Sequence, residues 1–284
     1  EDLQRTNEIL ISCGADIREI NIVRKHLSQI KGGQLAEFFA PARIVSLVIS
    51  DVVGGNLDSV ASGPTVVDQS SFKDALLVLD KYNLKEKIPT NIVNFLEKAV
   101  EEKRTTPTKL ENTTNYVIGD NEIALSAAKK KAKELGFNPF IVSSSQEGET
   151  SRMAQLRARE IKQGKYKDYD LLLIGGETNP VLSEKHGNGG RNQHYLAVTL
   201  KELMNHDKKW LAASISTDGS DFSSVAAGAI IDNNSVNRVK EKNINIDSYL
   251  TNYDSNSLFE KIGKSLIKTG NTGTNVGDVV IYII

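Results

Sequence analysis

The sequence predicts an α/β protein. Short apolar, β-rich runs recur along it, glycine-bearing loops follow those runs, and three- and four-residue apolar spacing follows the loops. At 284 residues, the prior of about 150 residues per domain gives two domains or one large one. Lys plus Arg total 35 against 36 Asp plus Glu, a formal net charge of -1. That balance provides no broad basic field, so neither nucleic acid nor an anionic membrane is an expected partner. The single cysteine, Cys13, excludes an internal disulfide and a cysteine-cluster zinc site. Purely apolar stretches such as Leu171 to Ile174 fall far short of the ~20 residues of a membrane-spanning helix. No basic segment leads into an apolar one, so no signal peptide is expected and the location predicted is cytoplasmic. The chain opens at Glu1-Asp2-Leu3, without an initiator Met and already inside a helical pattern, and it is expected to be a fragment.

From Leu3 to about Ile30 the apolar residues recur mostly at helical steps, with Gly14 stopping a first helix and Asp16 capping a second. Ile44 to Ile49 reads as a strand buried on both faces. A loop from Asp51 to Thr65 follows, then helices over Phe72 to Tyr82 and Ile92 to about Val100. Glu101 to Thr114 is charged, Thr-rich and without apolar period, as an interdomain connector would be. Beyond it the alternation is regular. Strands are predicted at Tyr116 to Ile118, Phe140 to Val142, Leu171 to Ile174 and Trp210 to Ser216, and helices at Glu122 to Leu135, about Thr150 to Lys162 and from near Gly190. On the Glu122 helix, Ala124, Ala127, Ala128, Ala132 and Leu135 form the apolar face, and the four nearby lysines a solvated one. This alternation predicts a parallel sheet with helices on both faces, whose ligands sit beyond the carboxyl ends of the strands.

Four loops fit that position: Asp51 to Thr65, Gly175 to Thr178, Thr217 to Asp221, and Thr269 to Asn275. A fifth segment, Gly187-Asn188-Gly189-Gly190-Arg191-Asn192-Gln193, leads into a helix whose first amides and dipole favour an anion. A cation in the first helical turn is unfavourable by itself, and a bound phosphate would offset that cost at Arg191. The same residues also suit a glycine hinge with an arginine in water. Asp218 and Asp221 have a spacing that could present carboxylates to Mg²⁺, or could be a turn and a helix cap. Glu177 suits a base, a metal partner or an acceptor for substrate hydroxyls. Gly263-Lys264-Ser265 is not a phosphate-binding loop, because position 258 is Leu, and Gly187, Gly189 and Gly190 do not complete a dinucleotide fingerprint, because position 192 is Asn. No His-Glu-x-x-His zinc motif occurs. His194 adjoins the Arg191 loop, and Cys13 reads as a packing residue.

The run Asn21 to Ala36 resembles the signature helix region of the class II glycerate kinases. Ser50-Asp51-Val52, Ala61-Ser62-Gly63-Pro64-Thr65, Gly175-Gly176-Glu177-Thr178 and Gly189-Gly190-Arg191-Asn192-Gln193 resemble further motifs of that family. So do Thr217-Asp218-Gly219, Ala226-Ala227-Gly228-Ala229 and Thr272-Gly273-Thr274-Asn275-Val276, the later ones belonging to its MOFRL region. The resemblance implies two three-layer α/β domains with an interdomain cleft: residues 1–110, the remainder of a Rossmann-like domain, and 111–284, a C-terminal domain including the MOFRL region. It implies transfer of the γ-phosphoryl of ATP, with Mg²⁺, to the 2-hydroxyl of D-glycerate. It also implies an N-terminal head that this sequence does not contain, without which a catalytically dead fragment is expected; an intact mass well above 31.1 kDa would show the head. Three departures stand out: Phe222-Ser223-Ser224-Val225 after the Asp218 loop, His194 where an acidic residue is usual, and Gly54-Gly55 in place of a Gly-Asp pair.

On this reading Arg191 and the Gly189 and Gly190 amides hold the transferring phosphate. Asp218, with Glu177, serves Mg²⁺ or the glycerate hydroxyl, and Asp221 is a further metal candidate. Asn192, Thr272 and Asn275 donate to phosphate or substrate, while Lys31, Arg24 and Asp51 are the substrate-side candidates, the first two for the glycerate carboxylate. The central expectation is that the turn at 189–193 and the turn near 218 meet in one crevice. A hydroxypyruvate-reducing oxidoreductase is the alternative that the missing fingerprint argues against; a non-catalytic nucleotide- or sugar-acid-binding fragment is the other. Homo-oligomerisation is left open.

Overall fold

The computed structural model describes residues 1–52, 54–222 and 226–284. The chain folds as two compact units, one of residues 1–48 and 55–118, the other of 49–54 and 119–284. Among the described residues no helix is long and apolar enough to cross a membrane.

In the first unit, α1 (Asp2–Ser12) ends where Gly14 turns the chain at φ 86°. The Asp16 side chain caps α2 (Ile17–His26), as the sequence predicts, and in the structure Glu19 answers to complete a capping box. After α3 (Gln34–Phe38), β1 (Ile44–Ile49) and a 3-10 turn at Val60–Ser62 come α4 (Phe72–Lys81), α5 (Thr90–Glu101) and β2 (Thr113–Gly119). Leu10, Val23, Leu79, Leu96 and Ala99 are buried where α1, α2, α4 and α5 meet. Ile44 N donates to Asn112 O at 2.7 Å and Ser50 N to Gly119 O at 2.9 Å, so β1 and β2 run in the same direction. Burial on both faces is not found for β1. Val45, Leu47 and Ile49 are exposed, because the described sheet has two strands and one of its faces carries no covering layer.

The second unit is three-layered. Its strands are β3 (Pro139–Gln146), β4 (Leu171–Gly176), β5 (Leu211–Ser216), β6 (Gly228–Asp232), β7 (Leu266–Ile267) and β8 (Asp278–Ile283), in the order β3-β4-β8-β5-β6-β7. Only β3 and β4 pair in parallel; β8 lies antiparallel between β4 and β5, and β6 and β7 continue antiparallel. The all-parallel expectation therefore fails on two counts: β8 returns antiparallel into the middle of the sheet, and β6 and β7 extend its edge antiparallel. Alternation divides β4 between two cores. Leu171 and Leu173 pack with Leu125 and Ala132 of α6 (Asn121–Glu134). Leu172 and Ile174 pack with Ala158 of α7 (Thr150–Lys162) and Leu196 and Leu200 of α8 (Arg191–Leu203). On α6 the buried face is Leu125 with Ala128 and Ala132, whereas Ala127 and Leu135 are exposed, so the predicted face is rotated. The remaining helices, α9 (Asn233–Glu241), α10 (Ile246–Thr251) and α11 (Ser255–Ile262), add Val236, Ile246 and Phe259 to the α8 side.

Candidate active site

The carboxyl ends of β4 and β5 lie at one edge of the sheet, and Asp278, the first residue of β8, pairs there with both Gly176 and Ser216. An acidic residue thus enters that edge from an antiparallel strand. At Gly176 the backbone turns at φ 136°, and a Cβ would come 2.3 Å from the Gln146 backbone, so only glycine fits where β4 hands over to Glu177.

Arg191 opens α8 into this edge. Its Nε donates to Asp278 Oδ2 at 2.5 Å and Nη2 to Asp278 Oδ1 at 3.1 Å, a two-pronged pair, while Nη1 lies 2.7 Å from Glu177 Oε1. The Arg191 side chain keeps 28% exposure, so the guanidinium is not sealed inside an internal pair. Three of its five N–H groups serve these carboxylates, and among the described residues nothing engages the other two. Burial opposes the Arg191 charge, but Asp278 first and then Glu177 hold its pKa above the ordinary value. Burial pushes the Glu177 carboxyl up; Arg191 opposes that shift, and Asp278, Asp51 and Asp218 add to it.

Asp218 follows β5. Its Oδ1 accepts from Ser216 Oγ and from Ser220 N, both at 2.8 Å, which forms a turn and leaves Oδ2 without a partner among the described residues. Arg191 and Asp218 line the same cavity of about 370 Å³, together with Gly189, Gly190, His194 and Tyr253. The two turns therefore face one hollow.

Asp221 has another task. It is buried, Oδ1 accepts from the Asn192 backbone N–H at 3.0 Å and side-chain amide at 3.3 Å, and Oδ2 from those of Gln193 at 2.8 and 3.0 Å. The positive end of α8 has drawn in a carboxylate of its own chain. A shared cation between Asp218 and Asp221 does not fit this geometry, since both Asp221 oxygens are spent. Burial is the largest influence on Asp221 and raises its pKa against those donors. Gly190 permits the approach: a Cβ there would lie 2.2 Å from Asp221 Oδ1. Among the described residues no group of three or more His, Cys, Asp or Glu is arranged to hold a metal ion.

Other candidates are also engaged by groups of the protein itself. Asn192 is buried and accepts from Ser214 Oγ at 2.5 Å, so it braces the helix start and does not line the cavity. Thr272 Oγ1 donates to Thr217 O at 2.6 Å, and Asn275 Oδ1 accepts from Gly277 N at 3.0 Å while its amide donates to Asp51 Oδ2 at 3.0 Å. Together they tie the C-terminal loop, the Asp218 turn and Asp51. Lys31 and Arg24 belong to the first unit. Lys31 Nζ donates to Ala61 O at 2.9 Å, with burial and then Arg24 lowering its pKa, and Arg24 Nε donates to Asn7 Oδ1 at 2.7 Å. Ser223, Ser224 and Val225, part of the departure noted after Asp218, lie outside the described residues, as does Val53 in the Asp51 loop.

Sequence reasoning missed Asp278 and Tyr253. Asp278 had a local signal, a Gly-Asp pair before the apolar run Val279 to Ile283, but no pattern within a few residues announces that it meets Arg191.

Residues 1–97 match a family described as a domain of unknown function, DUF4147, and residues 170–278 match the MOFRL family. A glycerate 2-kinase of Pyrococcus horikoshii is 36% identical over all of this chain and 65% of its own length, so the chain spans about two thirds of that relative. A D-glycerate 2-kinase of Thermotoga maritima is 39% identical over all of this chain and 67% of its own. A crystal structure of glycerate kinase from Thermotoga maritima superposes with a TM-score of 0.89 at 37% identity, covering 100% of this chain and 67% of that one.

Proposed function

The chain belongs to the glycerate kinase family that carries the MOFRL region, and from that premise we propose that it phosphorylates D-glycerate on its 2-hydroxyl with ATP. The observation that carries this reading is the cavity lined by both Arg191 and Asp218. Phosphoryl transfer needs positioning and charge neutralisation more than covalent chemistry. The two spare N–H groups of Arg191 meet the oxygens of the transferring phosphoryl group, held at its other side by Asp278 and Glu177. Asn192 and Gln193 amides already bind Asp221, so the amides available to phosphate are the earlier ones, of Gly190 and Arg191. Glu177 accepts the hydroxyl proton as the new O–P bond forms and the bond to the ADP oxygen breaks; its raised pKa suits a group that must take up a proton. Asp218 Oδ2, a hard oxygen without a partner among the described residues, fits Mg²⁺, which would supply charge neutralisation on the phosphates. Lys31 stays the candidate for the glycerate carboxylate on its motif alone.

The test is direct. Full-length protein, ATP and Mg²⁺ are incubated with D-glycerate and the phosphorus spectrum is followed; 2-phosphoglycerate and ADP in equal amounts are expected. ATP hydrolysis without a phosphorylated acid, or no turnover of either, would overturn the reading.

A further inference from the structure

We propose that the cavity beside Arg191 is a nucleoside pocket, in which the base of the phosphoryl donor stacks on Tyr253. The proposal rests on the kinase reading only for the identity of the polyphosphate that Arg191 would meet. Three observations carry it.

The first is size against substrate. At about 370 Å³ the hollow is in the range of small-molecule sites, roughly 300–1,000 Å³. A three-carbon acid would leave most of it unfilled.

The second is the distribution of lining chemistry. The lining combines the polar and charged Arg191, Gly190, Asp218 and Asp221 with apolar and aromatic surface from Pro180, Leu182, Phe222 and Tyr253. Leu182 is exposed although it is a large apolar residue. Arg191 is the only lysine or arginine among the described lining residues, and it already faces Asp278 and Glu177. A carboxylate among Pro180, Leu182 and Tyr253 would lose its hydration with no cation to replace it. A flat, neutral, heteroaromatic ring loses little there.

The third is how Tyr253 is held. Its ring stacks on His194, with centroids 4.2 Å apart and planes 17° from parallel. His194 is buried at 3% exposure, and its Nε2 lies 3.0 Å from Ser151 Oγ. Tyr253 itself takes φ 48°, a left-handed turn uncommon for a side chain of this size, immediately after α10. A buried imidazole and a fixed turn thus support a half-buried tyrosine against one face of a cavity, which is the pre-set platform a base needs. Burial holds the imidazole pKa down at about 4, so it stays neutral and does not attract phosphate. Its Nδ1 is buried with no hydrogen-bond partner among the described residues, a polar atom beside the cavity that protein has not satisfied.

Binding of Mg²⁺-ATP and of Mg²⁺-tripolyphosphate to full-length protein, measured by titration calorimetry, tests this. ATP is expected to bind at least tenfold more tightly than tripolyphosphate. Tyr253→Ala should weaken ATP between about fivefold and a hundredfold, the range for one base on one aromatic ring, and leave tripolyphosphate within twofold. Tyr253→Phe should restore ATP binding. As a control needing no variant, photolabelling of the wild type with 8-azido-ATP should mark peptides containing Tyr253 or Leu182. Equal affinity for the two polyphosphates, a parallel loss of both in Tyr253→Ala, or a label on distant peptides would each overturn the pocket. Phosphorylation of glycerate with an unchanged KM for ATP in Tyr253→Ala would remove the pocket and keep the kinase. Tyr253-dependent ATP binding without phosphoglycerate formation would keep the pocket and remove the kinase.

Discussion

Arg191 has two duties that can be separated. Its pair with the nearly buried Asp278 is structural, and its two spare N–H groups are the ones proposed for phosphate. Arg191→Ala should lower kcat by about 10³, the order seen when a cation is removed from a transferring phosphoryl group. It should also lower stability by about 1–3 kcal/mol, because Asp278 is left unpaired. The double variant Arg191→Ala with Asp278→Asn should regain most of that stability and none of the activity; recovery of activity, or a kcat loss under tenfold in the single variant, would take Arg191 out of the chemistry. His194 makes a second residue-scale prediction. Its folded pKa, about 4, lies below the ordinary value of 6.5. Between those values the unfolded chain binds a proton that the folded one refuses, so stability falls as pH drops from 6.5 toward 4. Over pH 6.5 to 5 this amounts to about 1.5 kcal/mol, less than the full 1.36 kcal/mol per unit because the unfolded imidazole is only half protonated at pH 6.5. Urea midpoints for wild type and His194→Gln at both pH values measure it: the loss on acidification should be smaller in the variant by about that amount.

At the scale of elements, the deciding feature is the start of α8. A glycine turn into a helix is an anion site in principle, and here the anion is partly supplied from within by Asp221. The sequence offered a metal ligand and a helix cap as readings of Asp221. Capping prevails because two backbone and two side-chain amides converge on it, from residues 28 and 29 positions away. Replacing the carboxylate leaves four buried donors with a poorer acceptor. Asp221→Asn should therefore cost about 2–3 kcal/mol, with an unchanged dependence of activity on Mg²⁺ concentration. A stability change under about 0.5 kcal/mol would mean the carboxylate does not cap the helix. The same element shows why Asn192 looked like a ligand: it sits in the right motif, but its amide is turned to Asp221 and Ser214.

At the scale of the whole molecule, the second unit is closed by the last residues of the chain. β8 supplies hydrogen bonds to β4 and β5 together, so the sheet has no continuous centre until Asp278–Ile283 is in place. Ending the chain after Gly277 should abolish the cooperative unfolding of this unit and expose it to proteolysis, while α1, α2, α4 and α5, whose core lies within the first unit, remain helical. A truncated protein that keeps the wild-type unfolding midpoint would refute this. How much of this was legible beforehand follows from range. The cap at Asp16, the stop at Gly14, the extent of α7 and the glycine entry to α8 depend on neighbours within a few positions, and local chemistry was enough to read them. The order of the motifs likewise pointed to the kinase family before any geometry. What distance in sequence conceals is pairing: Arg191 meets Asp278 across 87 positions, β8 returns between two strands that precede it, and Tyr253 comes to rest on His194. Local residue types by themselves determined the α/β class and the glycine-bearing turns that follow its strands. Only the tertiary structure decided which of those turns share a cavity and which of their polar groups are already spent, because burial makes every buried charge choose a partner from whatever the folded chain brings within 3 Å.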